Sequence, residues 1–243
     1  MQQTAEFYFH GSLNDFLRSK KRKVWFSYTF SGHQTVKDMI EAIAVPHAEI
    51  REVLVNGKAV SFSHRLQRED RVEVYPYDGR EELLLQGIGD LKFVLDVLLG
   101  TLAKSLRMLG FDTLYENTFT DKAIAGIAEA EQRIVLTRDV NLLKNKIIPI
   151  GYWLRSQHTE EQLAEVIRRF RLVDHIKPFT RCMVCNGLIV AVPKDAVLEQ
   201  LPPKTRLYFE EFYQCTNCLR VYWKGSHYER MQELIKRQLG ENW

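Results

Sequence analysis

The sequence predicts three consecutive units: an α+β unit of β-grasp layout over residues 1–80, an α/β unit with a mostly parallel sheet over 91–175, and a four-cysteine ribbon with a C-terminal helix over 176–243. Three patterns predict it. Alternating apolar strands surround one helix in the first third, strands and helices alternate in the middle, and two C-x-x-C pairs stand near the end. A chain of 243 residues that is 45% hydrophobic suits several compact cores rather than global disorder.

In the first unit, strands are expected at Ala5–Phe9 and Val24–Phe30, with a basic run from Arg18 to Lys23 between them. A helix is expected over Thr35–Ala44, and further strands near Arg51–Val55 and Arg71–Tyr75. Asn56-Gly57 is a tight-turn signal between Val55 and Lys58. Pro76-Tyr77-Asp78-Gly79 breaks the pattern and marks a boundary.

In the second unit, Phe93–Asp96 is a short apolar run that ends in a carboxylate. Leu99–Leu109 places Leu102, Leu106 and Leu109 on one helical face, and Gly110 is the expected stop. Thr113–Tyr115 and Arg133–Thr137 are expected strands on either side of a helix at Asp121–Glu131. Ile147–Trp153 follows as a strand, and Thr159-Glu160-Glu161-Gln162 as a capping-box start to a helix reaching about Arg171. This alternation favours a parallel sheet covered by helices. Beyond Lys177, cysteines, turn residues and aromatics take over, up to an amphipathic helix over Tyr228–Leu239.

Cys182-Met-Val-Cys185 and Cys215-Thr-Asn-Cys218 are paired knuckles. Two residues between thiols let both sulfurs reach one ion, and two knuckles complete the tetrahedron Zn²⁺ prefers. Four protein ligands leave no open position, so such a site is structural. The insert between knuckles, with Pro202-Pro203, is expected to form ribbon strands. Buried thiols, two disulfides and a rubredoxin-like iron site are the alternatives; Leu219, in place of a small turn residue after Cys218, counts slightly against iron.

Asp96 and Asp139 each follow an apolar strand, and Asp121 opens a helix. Strand carboxyl ends border the functional crevice of open α/β sheets, and carboxylates gathered there repel one another unless a cation such as Mg²⁺ or Mn²⁺ joins them. Lys104, Arg107 and Arg138 are near in sequence and suit phosphate. The structural alternatives are a helix cap for Asp121, a helix start for Asp139 and a local backbone bond for Asp96. No apolar run approaches a membrane span, and the N-terminus has neither a basic start nor an apolar signal core, so a cytoplasmic protein is expected. A formal net charge of +3 is too mild to diagnose a nucleic-acid partner.

The stretch Phe93-Val-Leu-Asp96, then Leu99-Gly-Thr-Leu-Ala-Lys-Ser-Leu-Arg-Met-Leu-Gly-Phe-Asp112, then Val135-Leu-Thr-Arg-Asp139, resembles the Mut-seven C-terminal RNase family of PIN-like nucleases. Arg181-Cys-Met-Val-Cys-Asn-Gly187 and Cys215-Thr-Asn-Cys-Leu-Arg-Val-Tyr-Trp-Lys-Gly-Ser-His227 are similar to the zinc ribbon that closes its members. The likeness runs from about 91 to 231, more than half the chain. Val55-Asn-Gly-Lys-Ala-Val60 and Asp70-Arg-Val-Glu-Val-Tyr-Pro76 resemble the ubiquitin-like domain that precedes this nuclease in bacterial members, and sulfur-carrier proteins. Those carriers use a free C-terminal Gly-Gly, whereas this unit continues into Asp78-Gly79-Arg80 and the chain closes on Glu241-Asn242-Trp243, so a docking role towards a protein partner is expected instead.

The resemblance implies that Asp96, Asp121 and Asp139 correspond to an acidic site for Mg²⁺ or Mn²⁺ that hydrolyses RNA phosphodiesters. Asp121-Lys122 replaces a pair of adjacent acids common in the family, which lowers the charge available to a second metal. Thr137 could add a hydroxyl. The ribbon would bind RNA, with transfer RNA as one candidate, through Arg220, Tyr222, Trp223, Lys224, His227 and Arg230, which interleave rings with positive charge. The alternative is a non-catalytic RNA- or tRNA-binding adaptor on an inactive PIN-like fold; a sulfur-transfer or redox protein is a more distant one.

Overall fold

The computed structural model describes residues 2–77 and 91–239; Asp78-Gly79-Arg80 and Glu241-Asn242-Trp243 lie outside the described residues. Strands β1 (Gln2–Phe9), β2 (Phe26–Ser31), β3 (Ile50–Val55), β4 (Lys58–Val60) and β5 (Arg71–Pro76) form one sheet in the order β2-β1-β5-β3-β4, with helix α1 (Val36–Ile43) between β2 and β3. The central pair β1–β5 is parallel and the other pairs are antiparallel, which is the expected β-grasp.

Local chemistry explains the boundaries. β2 starts at Phe26 rather than Val24 because Lys23 takes a left-handed φ of 56° and turns the chain. Thr35 and Asp38 form a reciprocal capping box that starts α1, and Ala44 ends it at φ 101°. Asn56 and Gly57 have φ of 51° and 76°, the two-residue turn that matches strand twist and sets Val55 opposite Lys58. Val36, Met39, Ile40 and Ile43 line one face of α1 and pack with Phe7, Phe9, Val72 and Val74 in a closed apolar core.

The following elements are β6 (Lys92–Leu95), α2 (Gly100–Met108), β7 (Asp112–Leu114), α3 (Asp121–Glu131), β8 (Ile134–Thr137), β9 (Gly151–Trp153) and α4 (Thr159–Phe170). β6 pairs with β7 in parallel, and β8 with β9 likewise, as the strand–helix alternation predicts. Two expectations are corrected. The strand expected over 147–153 is confined to Gly151–Trp153, because Asn145 turns the chain by accepting from the amides of Ile147 and Ile148, and Pro149 offers no N–H to a ladder. Thr159 is the first residue of α4 rather than its cap; Ser156 and Glu165 instead take up the amides of the preceding turn.

The closing segment forms the antiparallel sheet β10 (Ile189–Val192), β11 (Phe212–Cys215) and β12 (Val221–Trp223), in that order. Between β10 and β11 lie two short helices, α5 (Lys194–Val197) and α6 (Pro203–Tyr208), where strands are expected from sequence. Pro203 occupies the first turn of α6, where its missing N–H costs nothing. Val197, Leu201 and Phe212 make a small separate core, and α7 (Ser226–Leu239) completes the segment.

By internal packing the chain groups into two units that cut across the sequence segments. One takes the described part of Met1–Gly89 with Thr120–Trp153, the other the described part of Asp90–Phe119 with Leu154–Trp243. Within the second, the amides of Lys177 and Phe179 bond the carbonyls of Leu109 and Met108, so the approach to the first knuckle is stitched to the end of α2. Gly110 permits this: its φ is +96°, and a Cβ there would overlap the Lys177 carbonyl oxygen. Gly110→Ala is therefore expected to cost about 1–3 kcal/mol from backbone strain alone, with the clash in addition. Denaturant unfolding checks this; a change under about 0.5 kcal/mol, the ordinary surface range, would contradict it.

Candidate functional site

Cys182, Cys185, Cys215 and Cys218 offer four sulfurs that all lie within 4.8 Å of one another. The Cys182–Cys218 and Cys185–Cys215 sulfurs are 3.6 and 3.3 Å apart. A disulfide needs about 2.05 Å, and the cysteines are free thiols. A tetrahedron with metal–sulfur bonds near 2.3 Å has edges of about 3.8 Å, so the donor set fits one ion such as Zn²⁺. Asn186 and Leu219, each following the second cysteine of a knuckle, take left-handed φ of 68° and 57°. Leu219 thus makes the turn although it is not a small residue. The amides of Cys185 and Asn217 point at the sulfurs of Cys182 and Cys215 at 3.5 and 3.4 Å. Gly187 is required by close approach, since a Cβ there would sit 2.8 Å from Cys215 Sγ.

Burial opposes ionisation of Cys182, but hydrogen bonds from the Tyr222 hydroxyl and the Cys185 and Val184 amides outweigh it and bring the thiol down to about 6. Burial pushes Cys185 up to about 12. Tyr222, 2.9 Å from Cys182 Sγ, is itself raised by burial and then by that bond, so it stays a phenol and a donor.

The knuckle is locked from below by α2 and β7. Arg107 is 4% exposed; its Nε donates to the Thr113 carbonyl at 2.9 Å, and its Nη1 donates to the Met183 and Val184 carbonyls at 3.2 and 2.9 Å. Asn186 accepts the Thr113 amide and donates to Asp112, which also pairs with Arg181 at 3.2 Å. Arg107 is accordingly corrected from a phosphate ligand to a buried clamp on the thiol loop. Two of its carbonyl partners lie 76 and 77 residues away and leave no local signal in the sequence.

The three aspartates stand at element ends. Asp96 directly follows β6, and one of its oxygens accepts the Val97 amide at 2.6 Å; its loop is held by the Tyr115 hydroxyl on the Val97 carbonyl. Asp121 is the exposed first residue of α3, whose cap is Thr120, not Asp121. Asp139 lies two residues beyond β8 and is exposed; one of its oxygens accepts the Asn141 amide at 2.8 Å. Thr137 is fully buried and its hydroxyl accepts the Asp139 amide, so it braces the turn. Among the described residues, Cys182, Cys185, Cys215 and Cys218 form a group of metal donors brought together.

Of the expected RNA-binding residues, Lys104, Arg138, Arg220, His227 and Arg230 are exposed. Lys224 is exposed but paired with Glu211 at 2.6 Å. Strand register puts Trp223 opposite Phe212, on the face of the small core, while Tyr222 is opposite Tyr213 on the other face. The two rings are thus not one stacking platform, because neighbours on a strand point apart.

Residues 91–235, which carry the four cysteines and Asp96, Asp121 and Asp139, match the Mut7-C RNAse domain, and residues 2–81 match the Mut7-C ubiquitin domain. This chain belongs to the Mut7-C RNAse domain family. No curated protein matches the chain. Among solved structures, the Haloferax volcanii small archaeal modifier protein 1 aligns at 16% identity over 30% of this chain and 97% of its own, with a TM-score of 0.24. A second structure of SAMP1 from Haloferax volcanii gives the same identity and TM-score over 93% of its length. No helix among the described residues of this Mut7-C chain is long and apolar enough to cross a membrane.

Removing the Arg107 guanidinium would take its donor from the buried Thr113 carbonyl and from the Met183 and Val184 carbonyls. Arg107→Met is expected to lower unfolding stability by about 3 kcal/mol, and to speed loss of the bound metal to a chelator. Stability within about 1 kcal/mol of the parent would rule out the clamp.

Proposed function

We propose that this chain is a divalent-metal-dependent ribonuclease whose cysteine ribbon holds a structural Zn²⁺ and assists RNA binding. The observation that carries the reading is the RNase-family match over residues 91–235, within which Asp96 and Asp139 follow the carboxyl ends of strands paired in parallel. Asp96, Asp121 and Asp139 are oxygen donors of the kind Mg²⁺ and Mn²⁺ prefer. When bound, such an ion would offset phosphate charge and make a water molecule acidic enough to attack.

The chain's own groups set the terms for that chemistry. The Val97 amide bonds one oxygen of Asp96 and the Asn141 amide one oxygen of Asp139, which aims the carboxylates. Asp121 lies exposed in the first turn of α3. Lys104 and Arg138 are exposed cations suited to the scissile phosphate, and Lys122 beside Asp121 favours one ion over two. Arg220, His227 and Arg230 are exposed at the ribbon and the start of α7, where they would neutralise backbone phosphates.

Asp96→Asn and Asp139→Asn should each lower Mn²⁺-dependent cleavage of single-stranded RNA at least 100-fold, about 2.7 kcal/mol in barrier, with zinc content and fold unchanged. Full cleavage by both variants would refute the assignment; RNA binding without cleavage by the parent chain at any Mn²⁺ concentration would favour the adaptor. Each phosphate neutralised on a single strand adds about 0.7 to the log–log salt slope of binding. In the double variant Arg220→Ala with Arg230→Ala, that slope should therefore fall by roughly 1.4. An unchanged slope would remove this surface from the RNA path.

A further inference from the structure

Trp153 ends β9 and touches three different parts of its unit. Its backbone amide donates to the carboxylate of Glu49 at 2.5 Å. Its ring lies 5.1 Å from that of Phe16, tilted by 38°. Its indole N–H donates to the Arg138 carbonyl at 3.2 Å. Glu49 and Phe16 belong to the β-grasp segment, and Phe16 packs against its core. Glu49 is fully buried at the end of the turn His47–Glu49.

The Arg138 carbonyl and the Asp139 amide are two ends of one rigid peptide plane. The indole grips the carbonyl end, and Thr137 Oγ1 accepts from the amide end at 2.8 Å. Parallel register places Thr137 opposite Trp153, so both grips come from one rung of the β8–β9 pair. With that plane held, the direction in which the Asp139 side chain leaves the backbone is held as well. A carboxylate buried at this depth is costly unless it is hydrogen-bonded, and Glu49 directs part of its bonding to the backbone of β9.

We propose that Glu49 and Phe16 are positioning residues for Asp139 and that they act through Trp153, so that the β-grasp segment is a working part of the acidic site rather than only a docking module. This rests on the reading of Asp139 as a metal ligand.

The test uses the full zinc-loaded chain and four variants. Trp153→Phe keeps the ring but removes the indole donor. Glu49→Ala removes the acceptor, Glu49→Gln restores a neutral one, and Asp139→Asn is the control. Mn²⁺ affinity is read by electron paramagnetic resonance titration, exchange of the 138–141 amides by mass spectrometry, and kcat and KM on single-stranded RNA. Trp153→Phe and Glu49→Ala should weaken Mn²⁺ binding about 10–100-fold, the usual range for partners that orient a ligand, lower kcat, leave KM for RNA unchanged and speed exchange at 138–141. Glu49→Gln should recover most of the loss. Parental Mn²⁺ affinity and exchange in Trp153→Phe, with Asp139→Asn defective, would overturn the positioning role while sparing the site. Parental Mn²⁺ binding and cleavage in Asp139→Asn would instead overturn the site and the inference together.

Discussion

Four sulfur atoms drawn to within 4.8 Å of one another are the constraint on which the closing module depends. Such a cluster cannot hold several thiolates without a cation, and the protein is built to receive one: an amide reaches a sulfur in each knuckle, and Tyr222 reaches Cys182. The sheet β10–β12 packs on a core that includes Val197, Leu201 and Phe212. A metal tie there would add stability to that of the apolar contacts. Arg107 and Asn186 pass this order on to α2 and β7, making the ribbon a continuation of the nuclease segment instead of an appended bead.

Most of the architecture was legible because it rests on local rules. The Asn56-Gly57 turn, the Thr35 and Asp38 box, the Gly110 stop and the cysteine spacing each depend on residue types that have few other uses. What escaped the sequence depends on tertiary company. The insert around Pro202-Pro203 looked like strand because ribbons are made of strands, yet a proline in the first turn is equally good at starting a helix. Arg107 looked like a surface cation because its charge is visible in sequence and its carbonyl partners, 76 and 77 residues away, are not. Trp223 and Tyr222 looked like one aromatic surface until register assigned them to opposite faces.

The candidate carboxylates show the same division. Their positions after β6 and β8 and at the start of α3 followed from periodicity alone. The groups that hold them did not: Tyr115 braces the loop after Asp96, while Thr137 and Trp153 clamp the peptide before Asp139. A β-grasp segment that sends a buried glutamate into β9 also explains why packing joins Thr120–Trp153 to the N-terminal segment, a grouping that a reading by consecutive domains does not anticipate.

Under the proposed function the chain would hold metal at a closed sulfur site and at an exchangeable oxygen site, which should respond to a chelator in two ways. Native mass spectrometry of the intact chain, after brief EDTA treatment and then addition of excess Mn²⁺, tests this most directly. The predicted masses carry one zinc that survives the chelator and at least one manganese that a second EDTA step removes. A chain that keeps zinc but takes up no manganese, or that has no zinc to keep, would contradict it.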